Sequence, residues 1–269
     1  MKVKPRIKNS LMTFTPEFFW KYLLKRYYLS RLKACRSSDD IYRSNADLQV
    51  IQHLVSEEES VFDIGANFGF FTLFFSQLVG GHGRVFSFEP IPLTYEFLSY
   101  NLSKMHLDNV KPYNWAISDR NGAGIMEIPR FESGGDNYYM SRIVSEDQRD
   151  MSLDSKGVIL ASLDSNLYEG IEALSFMKID VEGHELSALR GSRKILDTYR
   201  PALYVEVSGD PDELQSESQK LFSLLYERGY SPYWFDGIKL NQRTKGISSV
   251  NYFFLLHQHL KRIPDNIVI

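Results

Sequence analysis

From residue 60 onward the chain alternates short apolar runs with longer, mixed ones. Residues 60–64 are an apolar run ending in a glycine turn, as a buried strand would, and residues 70–79 follow as an apolar helix. The same alternation predicts a strand over 83–88, a helix over 93–107 with Pro92 at a first-turn position, and a strand over 110–117. Asn121-Gly122 is a hairpin signal leading into a returning strand over 124–128. Strands are then expected over 158–162, 174–179 and 203–208, and a helix over 185–199 despite Gly191. Pro211 opens a helix that runs to residue 227 and stops at Gly229, and strands over 231–235 and 252–256 close the pattern. Strands alternating with helices predict an α/β fold, a mostly parallel sheet covered on both faces. The last two strands have only a loop between them, which makes them an antiparallel edge hairpin.

Two segments stand outside that rhythm. Residues 130–156 are polar and contain Gly134-Gly135, longer than an ordinary loop, and read as an acceptor lid or a poorly ordered stretch. Arg130, Arg142 and Arg149 there suit a phosphate or carboxylate, with a solvated loop as the simpler reading. Residues 1–44 form a basic helical extension ahead of a domain spanning 45–269, whose first helix is expected over 45–55.

Composition narrows the class. With 43% hydrophobic and 24% charged residues the chain can bury a core, which excludes disorder, collagen and a disulfide-stapled miniprotein. The one cysteine, Cys35, cannot form an internal disulfide. No apolar run is long enough to span a bilayer, and the basic start lacks the apolar stretch of a signal peptide. A cytoplasmic protein, free or at the inner face of a membrane, is the expectation. The net charge of −3 hides an asymmetry: residues 1–36 carry ten Lys or Arg against Glu17 alone, which leaves the remainder at −12. An acidic body argues against nucleic acid as a partner. In the arm, Phe18, Leu23, Tyr27 and Leu32 share one helical face, with Lys21, Lys25, Arg26 and Lys33 around it. Such a helix either makes peripheral contact with an anionic membrane or packs on the domain or a second subunit. Oligomeric state stays open.

The strongest ligand signal is Asp63-Ile64-Gly65-Ala66-Asn67-Phe68-Gly69, between a strand and a helix. Glycines there let backbone approach a ligand, and the helix start offers free N–H groups. Glu89 ends the next strand, where an acid accepts hydrogen bonds from ribose hydroxyls. A dinucleotide fingerprint fails, because its second and third glycine positions are Asn67 and Phe70. No P-loop motif occurs either. Asp63 would repel a pyrophosphate but suits a cationic amino group, so the pattern favours S-adenosylmethionine.

Farther along, residues 176–185 place a buried strand in front of Asp180, Glu182, His184 and Glu185. In an open α/β sheet these fall at the same rim as the glycine turn, where they can act as general base, substrate anchors or ligands of a divalent metal. For Glu185, complementing a helix start is the competing reading. Glu206 is an acid inside an apolar strand and joins them, since a buried acid needs a partner or a purpose.

The runs D-I-G-A-N-x-G-x-x-T (63–72), S-F-E-P (87–90), L-D-S (163–165) and M-K-I-D-V-E-G-H-E (177–185) together resemble the FkbM-type methyltransferase family. The resemblance covers about residues 45–256 and implies a Rossmann-like class I fold with a seven-stranded sheet. It implies S-adenosylmethionine as donor and O-methylation as the reaction, on a hydroxyl of a sugar, glycan, glycolipid or related secondary metabolite. By position, Asp63, Gly65, Ala66, Asn67 and Gly69 would hold the methionine end, with Thr72 contributing from the first helix. Glu89 and Pro90 would meet the ribose, and Ala116 and Ser118 the adenine edge. Asp180 would stand near the transferable methyl group, where it or His184 would take or steer the acceptor's proton, with Glu182 and Glu206 as further candidates. Asp180-Val181-Glu182 stands where many nitrogen-methylating relatives carry Asn/Asp-Pro-Pro-aromatic. A methyltransferase acting on protein or RNA and a non-catalytic cofactor-binding module are the alternatives.

Overall fold

A computed structural model describes residues 16–35, 45–131, 136–167 and 170–268. Lys2, Lys4, Arg6, Lys8 and Arg36 of the basic arm, and Gly134-Gly135, lie outside the described residues. The centre of the fold is an eight-stranded sheet. Its parallel half comprises β1 (Ser60–Ile64), β2 (Arg84–Phe88), β3 (Val110–Tyr113), β8 (Leu174–Ile179) and β9 (Ala202–Glu206). Three more strands, β10 (Ser231–Phe235), β11 (Leu240–Gln242) and β12 (Asn251–Leu255), extend it beyond β9 by antiparallel pairing, in the order β9, β12, β10, β11. The expected seven strands are thus joined by an eighth, β11, at the antiparallel edge.

The apolar runs read as strands are runs because both faces of the sheet are covered. Alternate residues serve opposite cores. Phe62, Met177 and Leu203 face α6 (Glu185–Arg190), α7 (Arg193–Tyr199) and α8 (Glu217–Tyr226), whereas Val61, Phe176 and Ala202 face α2 (Leu48–Leu54) and α3 (Phe70–Val79). Register then sets the site. Ile64 lies opposite both Phe88 and Ile179, and Ile179 opposite Val205. The next residues, Gly65, Glu89, Asp180 and Glu206, therefore emerge at one rim.

Several elements differ from the sequence expectation, each for a local reason. The strand expected over 110–117 breaks at Asn114-Trp115, because the Asn114 side-chain amide donates to the carbonyls of Glu89 and Pro90 at 2.8 and 2.9 Å. Its second part, β4 (Ala116–Ile117), belongs to a separate four-stranded sheet with β5 (Gly122–Ile128), β6 (Arg142–Val144) and β7 (Asp154–Ala161). Asn121-Gly122 does not make a hairpin. β7 lies between β4 and β5, and the Asn121 carboxamide is drawn to the segment after β7, accepting from the Ser162 amide at 2.9 Å. The 130–156 stretch, where described, is largely part of this sheet and its turns.

The helix expected over 185–199 is two helices. Gly191 passes so close to the Ser118 carbonyl that an added Cβ would sit 1.9 Å from its oxygen. α7 then starts afresh, its Lys194 and Ile195 amides donating to the Asp164 carboxylate at 3.0 and 3.1 Å. Asp164 of the Leu-Asp-Ser run is therefore a cap for a distant helix. Pro211 does not open a helix. α8 begins after Ser216, whose hydroxyl accepts from the Gln219 amide at 3.0 Å.

The N-terminal helix, α1 (Glu17–Ala34), packs on α4 (Pro92–Met105) and on the glycine turn. Its buried face is Leu24, Tyr28 and Leu32, spaced at i, i+4 and i+8, while Phe18, placed on the apolar face by its spacing, is exposed along with Phe19 and Tyr22. Among the described residues no helix is long and apolar enough to cross a membrane.

Candidate active site

The glycine turn leaves β1 and enters α3 through Gly65, Asn67 and Gly69, all with left-handed backbone. Gly65 is fixed by its neighbour, since a Cβ there would lie 1.8 Å from the Asp180 carbonyl oxygen. Asn67 carries the strain of a left-handed non-glycine residue. Its amide donates to Glu89 Oε2 at 2.9 Å, while its buried Oδ1 has no hydrogen-bond partner among the described residues. Glu89 Oε1 accepts from the Ile91 amide at 3.0 Å. Burial outweighs these two bonds and pushes the Glu89 carboxyl up to about 7.

Asp63 stands behind the turn, fully buried, and lines neither of the two cavities that meet at this rim. Its Oδ2 accepts from Thr72 Oγ1 at 2.5 Å, and its Oδ1 lies 3.4 Å from Lys178 Nζ. Lys178 is Asp63's cross-strand partner in β8 and also lies 3.2 Å from Asp180 Oδ2, while donating to the Gly65 carbonyl at 3.1 Å. Burial alone would lower the Lys178 ammonium, but the Asp180 and Asp63 carboxylates outweigh it and hold it above its ordinary value. Asp63 and Thr72 thus act through the turn they brace. The sequence leaves this lysine unassigned. A cation inside the apolar run Phe-Met-Lys-Ile is the available signal, of the same kind as the acid that marks Glu206.

A cavity of about 210 Å³ opens along the rim from Gly65, Asn67, Glu89 and Pro90 to Asp180, Glu182, His184 and Glu206. Ile91 and, from the second sheet, Ala116, Ile117, Met126 and Ile143 line its middle, and Tyr138 and Tyr139, in a 3-10 turn between β5 and β6, close it. The sequence points to Ala116 and, through the 130–156 stretch read as an acceptor lid, to the segment that carries Tyr138, Tyr139 and Ile143, but not to Met126. Ser118 is fully buried just outside the lining and pairs with His184 Nε2 at 3.0 Å. Ala66 and Gly69 are also absent from this lining, Gly69 serving as the left-handed cap of α3. Burial lowers the His184 imidazole below its usual range, so it is neutral at pH 7.

Asp180, Glu182 and Glu206 bring one carboxylate oxygen each within 4.8 Å of one another. His184, grouped with the acids on sequence grounds, is not in that trio. Glu182 is held there in left-handed backbone. Burial first, and then the facing Asp180 and Glu182 carboxylates, push Glu206 up to about 7. Glu185 turns away, its Oε1 accepting from the Gly183 amide at 2.8 Å, which is the helix-start role.

The family described as the methyltransferase FkbM domain matches residues 63–232, more than half of the chain. The chain belongs to the FkbM methyltransferase family. This FkbM methyltransferase is 26% identical over 208 residues to the methyltransferase sdnD of Sordaria araneosa, a match covering 67% of this chain and 77% of that protein. Among solved structures, the FkbM methyltransferase of Methylobacillus flagellatus aligns at 16% identity and a TM-score of 0.47, covering 73% of this chain and 43% of that one, so this chain spans under half of its length. A S-adenosylmethionine-dependent O-methyltransferase of Thermotoga maritima aligns at 13% identity and a TM-score of 0.41, covering 78% of this chain and 63% of that one.

As a FkbM methyltransferase the protein is S-adenosylmethionine-dependent, and the residues present fit that cofactor. Each Glu89 oxygen takes one N–H and keeps a lone pair for a ribose hydroxyl. The unpartnered Asn67 Oδ1 suits an ammonium group, and Ile91, Ile117, Met126 and Ile143 offer an apolar slot for an adenine ring.

Proposed function

We propose that this FkbM methyltransferase methylates a hydroxyl oxygen of a sugar, a glycan or a related secondary metabolite. The observation that supports this most is Glu206, an acid whose proton affinity sits near neutrality beside two further carboxylates at the end of the cofactor cavity. A sugar hydroxyl is a weak nucleophile at neutral pH and gains most from a base with these properties.

When bound, S-adenosylmethionine supplies an electrophilic methyl carbon on a cationic sulfur. Glu206, once ionised, takes the proton of the acceptor hydroxyl at its carboxylate oxygen. Asp180, tied to Lys178, adds fixed negative charge beside the cation. Tyr138, Tyr139 and Met126 exclude water from one side of the site. Incubation with methyl-labelled S-adenosylmethionine and a panel of nucleotide sugars and glycolipids tests the reading. Label recovered as a methoxy group supports it, and label confined to protein or RNA contradicts it.

The closeness of Asp180, Glu182 and Glu206 favours a second reading, in which the three oxygens hold Mg²⁺ and the ion lowers the hydroxyl's pKa. The base reading predicts that turnover survives dialysis against EDTA. Loss of turnover, restored by added Mg²⁺, would assign the trio to a metal instead.

A further inference from the structure

A second cavity, of about 530 Å³, shares Gly65, Asn67 and Asp180 with the first and lies between the glycine turn and α1. Three elements meet around it. Tyr28 of α1 stacks on Phe68 of the turn with ring centroids 3.6 Å apart, and Tyr139, in the 3-10 turn between β5 and β6, sets its ring 5.8 Å from the same Phe68. One helical turn beyond Tyr28, Arg31 reaches the lining from an exposed position. Its charge is close enough to be felt at the Tyr139 hydroxyl.

The charges of the two cavities differ. The first is lined by Glu89, Asp180, Glu182 and Glu206, with His184 neutral. The second has two basic side chains, and Lys178 is already engaged by Asp63 and Asp180 at 3.4 and 3.2 Å. Arg31 enters no ion pair among the described residues. S-adenosylmethionine carries a sulfonium and an ammonium at its centre and amino-acid end, and one carboxylate at the far tip. The acids of the first cavity attract the cations and repel the carboxylate, so the ligand's anionic tip is directed past Asn67 into the second cavity.

We propose that Arg31, on a helix outside the 63–232 family match, holds the carboxylate of the cofactor's amino-acid end. The guanidinium fork matches a carboxylate, and α1 is fixed over the turn by the Tyr28–Phe68 stack. This rests on the reading that the adenosine end occupies the first cavity. Titration calorimetry of the full chain with S-adenosylmethionine and with its decarboxylated analogue tests it. The native protein should prefer S-adenosylmethionine by about tenfold or more. Arg31→Ala should erase that preference by weakening S-adenosylmethionine alone, and Arg31→Lys should keep part of it. Arg31 is exposed, so neither change threatens folding. A preference undiminished in Arg31→Ala overturns the proposal, as does an unchanged cofactor affinity with a raised acceptor KM. If the native chain binds neither ligand, the reading of the first cavity fails and the proposal with it.

Discussion

Lys178→Met should destabilise the chain by about 3–5 kcal/mol. The reason is arithmetic of charge in a dry place. Asp63 is fully buried, and its compensation is the Lys178 ammonium at 3.4 Å together with the Thr72 hydroxyl. Removing the cation leaves a buried carboxylate that must either stay unpaired or take up a proton. The same change frees Asp180 and the Gly65 carbonyl, which Lys178 holds at 3.2 and 3.1 Å, so the turn and the cavity rim loosen together. Thermal unfolding should show a melting temperature lower by about 10 °C, with part of the loss recovered by adding Asp63→Asn. A melting temperature equal to the native one would show that this pair does not brace the turn.

Glu206→Gln should lower kcat by about 10²–10⁴-fold at pH 8 while leaving the melting temperature close to native. Glutamine keeps the shape but cannot accept the hydroxyl proton. The pH profile carries the sharper signature. Glu206 is raised to about 7 by burial and by Asp180 and Glu182, so it is protonated and idle below that value and ionised above it. In the native enzyme kcat should therefore rise through about pH 7 and level off. In Glu206→Gln the residual rate should lose that rise. In Glu182→Gln, where one repelling carboxylate is gone, the rise should move to lower pH. A Glu206→Gln enzyme that retains the native profile would place the base elsewhere.

How far these residues can be read from the sequence depends on how local their signals are. The strand at 60–64 and the helix at 70–79 are found with the expected limits, because each is an unbroken apolar run bounded by turn residues. Gly65, Asn67, Glu89, Asp180, Glu182, His184 and Glu206 all line the cavity, because each ends a strand or follows one at the same rim. The second sheet is legible only in part: β5 and β7 are expected over 124–128 and 158–162, but their separation from the main sheet is not. One of its strands has two residues, and the Asn121-Gly122 turn, a hairpin by composition, is captured by contacts to Ser162 and Asn166 that lie 41 and 45 residues away. Asp63 is legible as an acid before the glycine turn but not as one braced behind it, outside both cavities. Its partner Lys178 faces it across neighbouring strands, through a register that no local pattern records. Spacing alone puts the face of α1 one position off, on Leu23 and Tyr27 rather than Leu24 and Tyr28. Eleven of the 18 positions in that helix are aromatic or basic, so its apolar stripe is weakly marked.

A crystal structure with S-adenosylhomocysteine bears most directly on the whole arrangement. The ribose hydroxyls should lie within hydrogen-bond distance of Glu89, the adenine between Ile91 and Ile143, and the sulfur should face Asp180 and Glu206. A crevice left empty at saturating ligand, or a ribose seated away from Glu89, would contradict it.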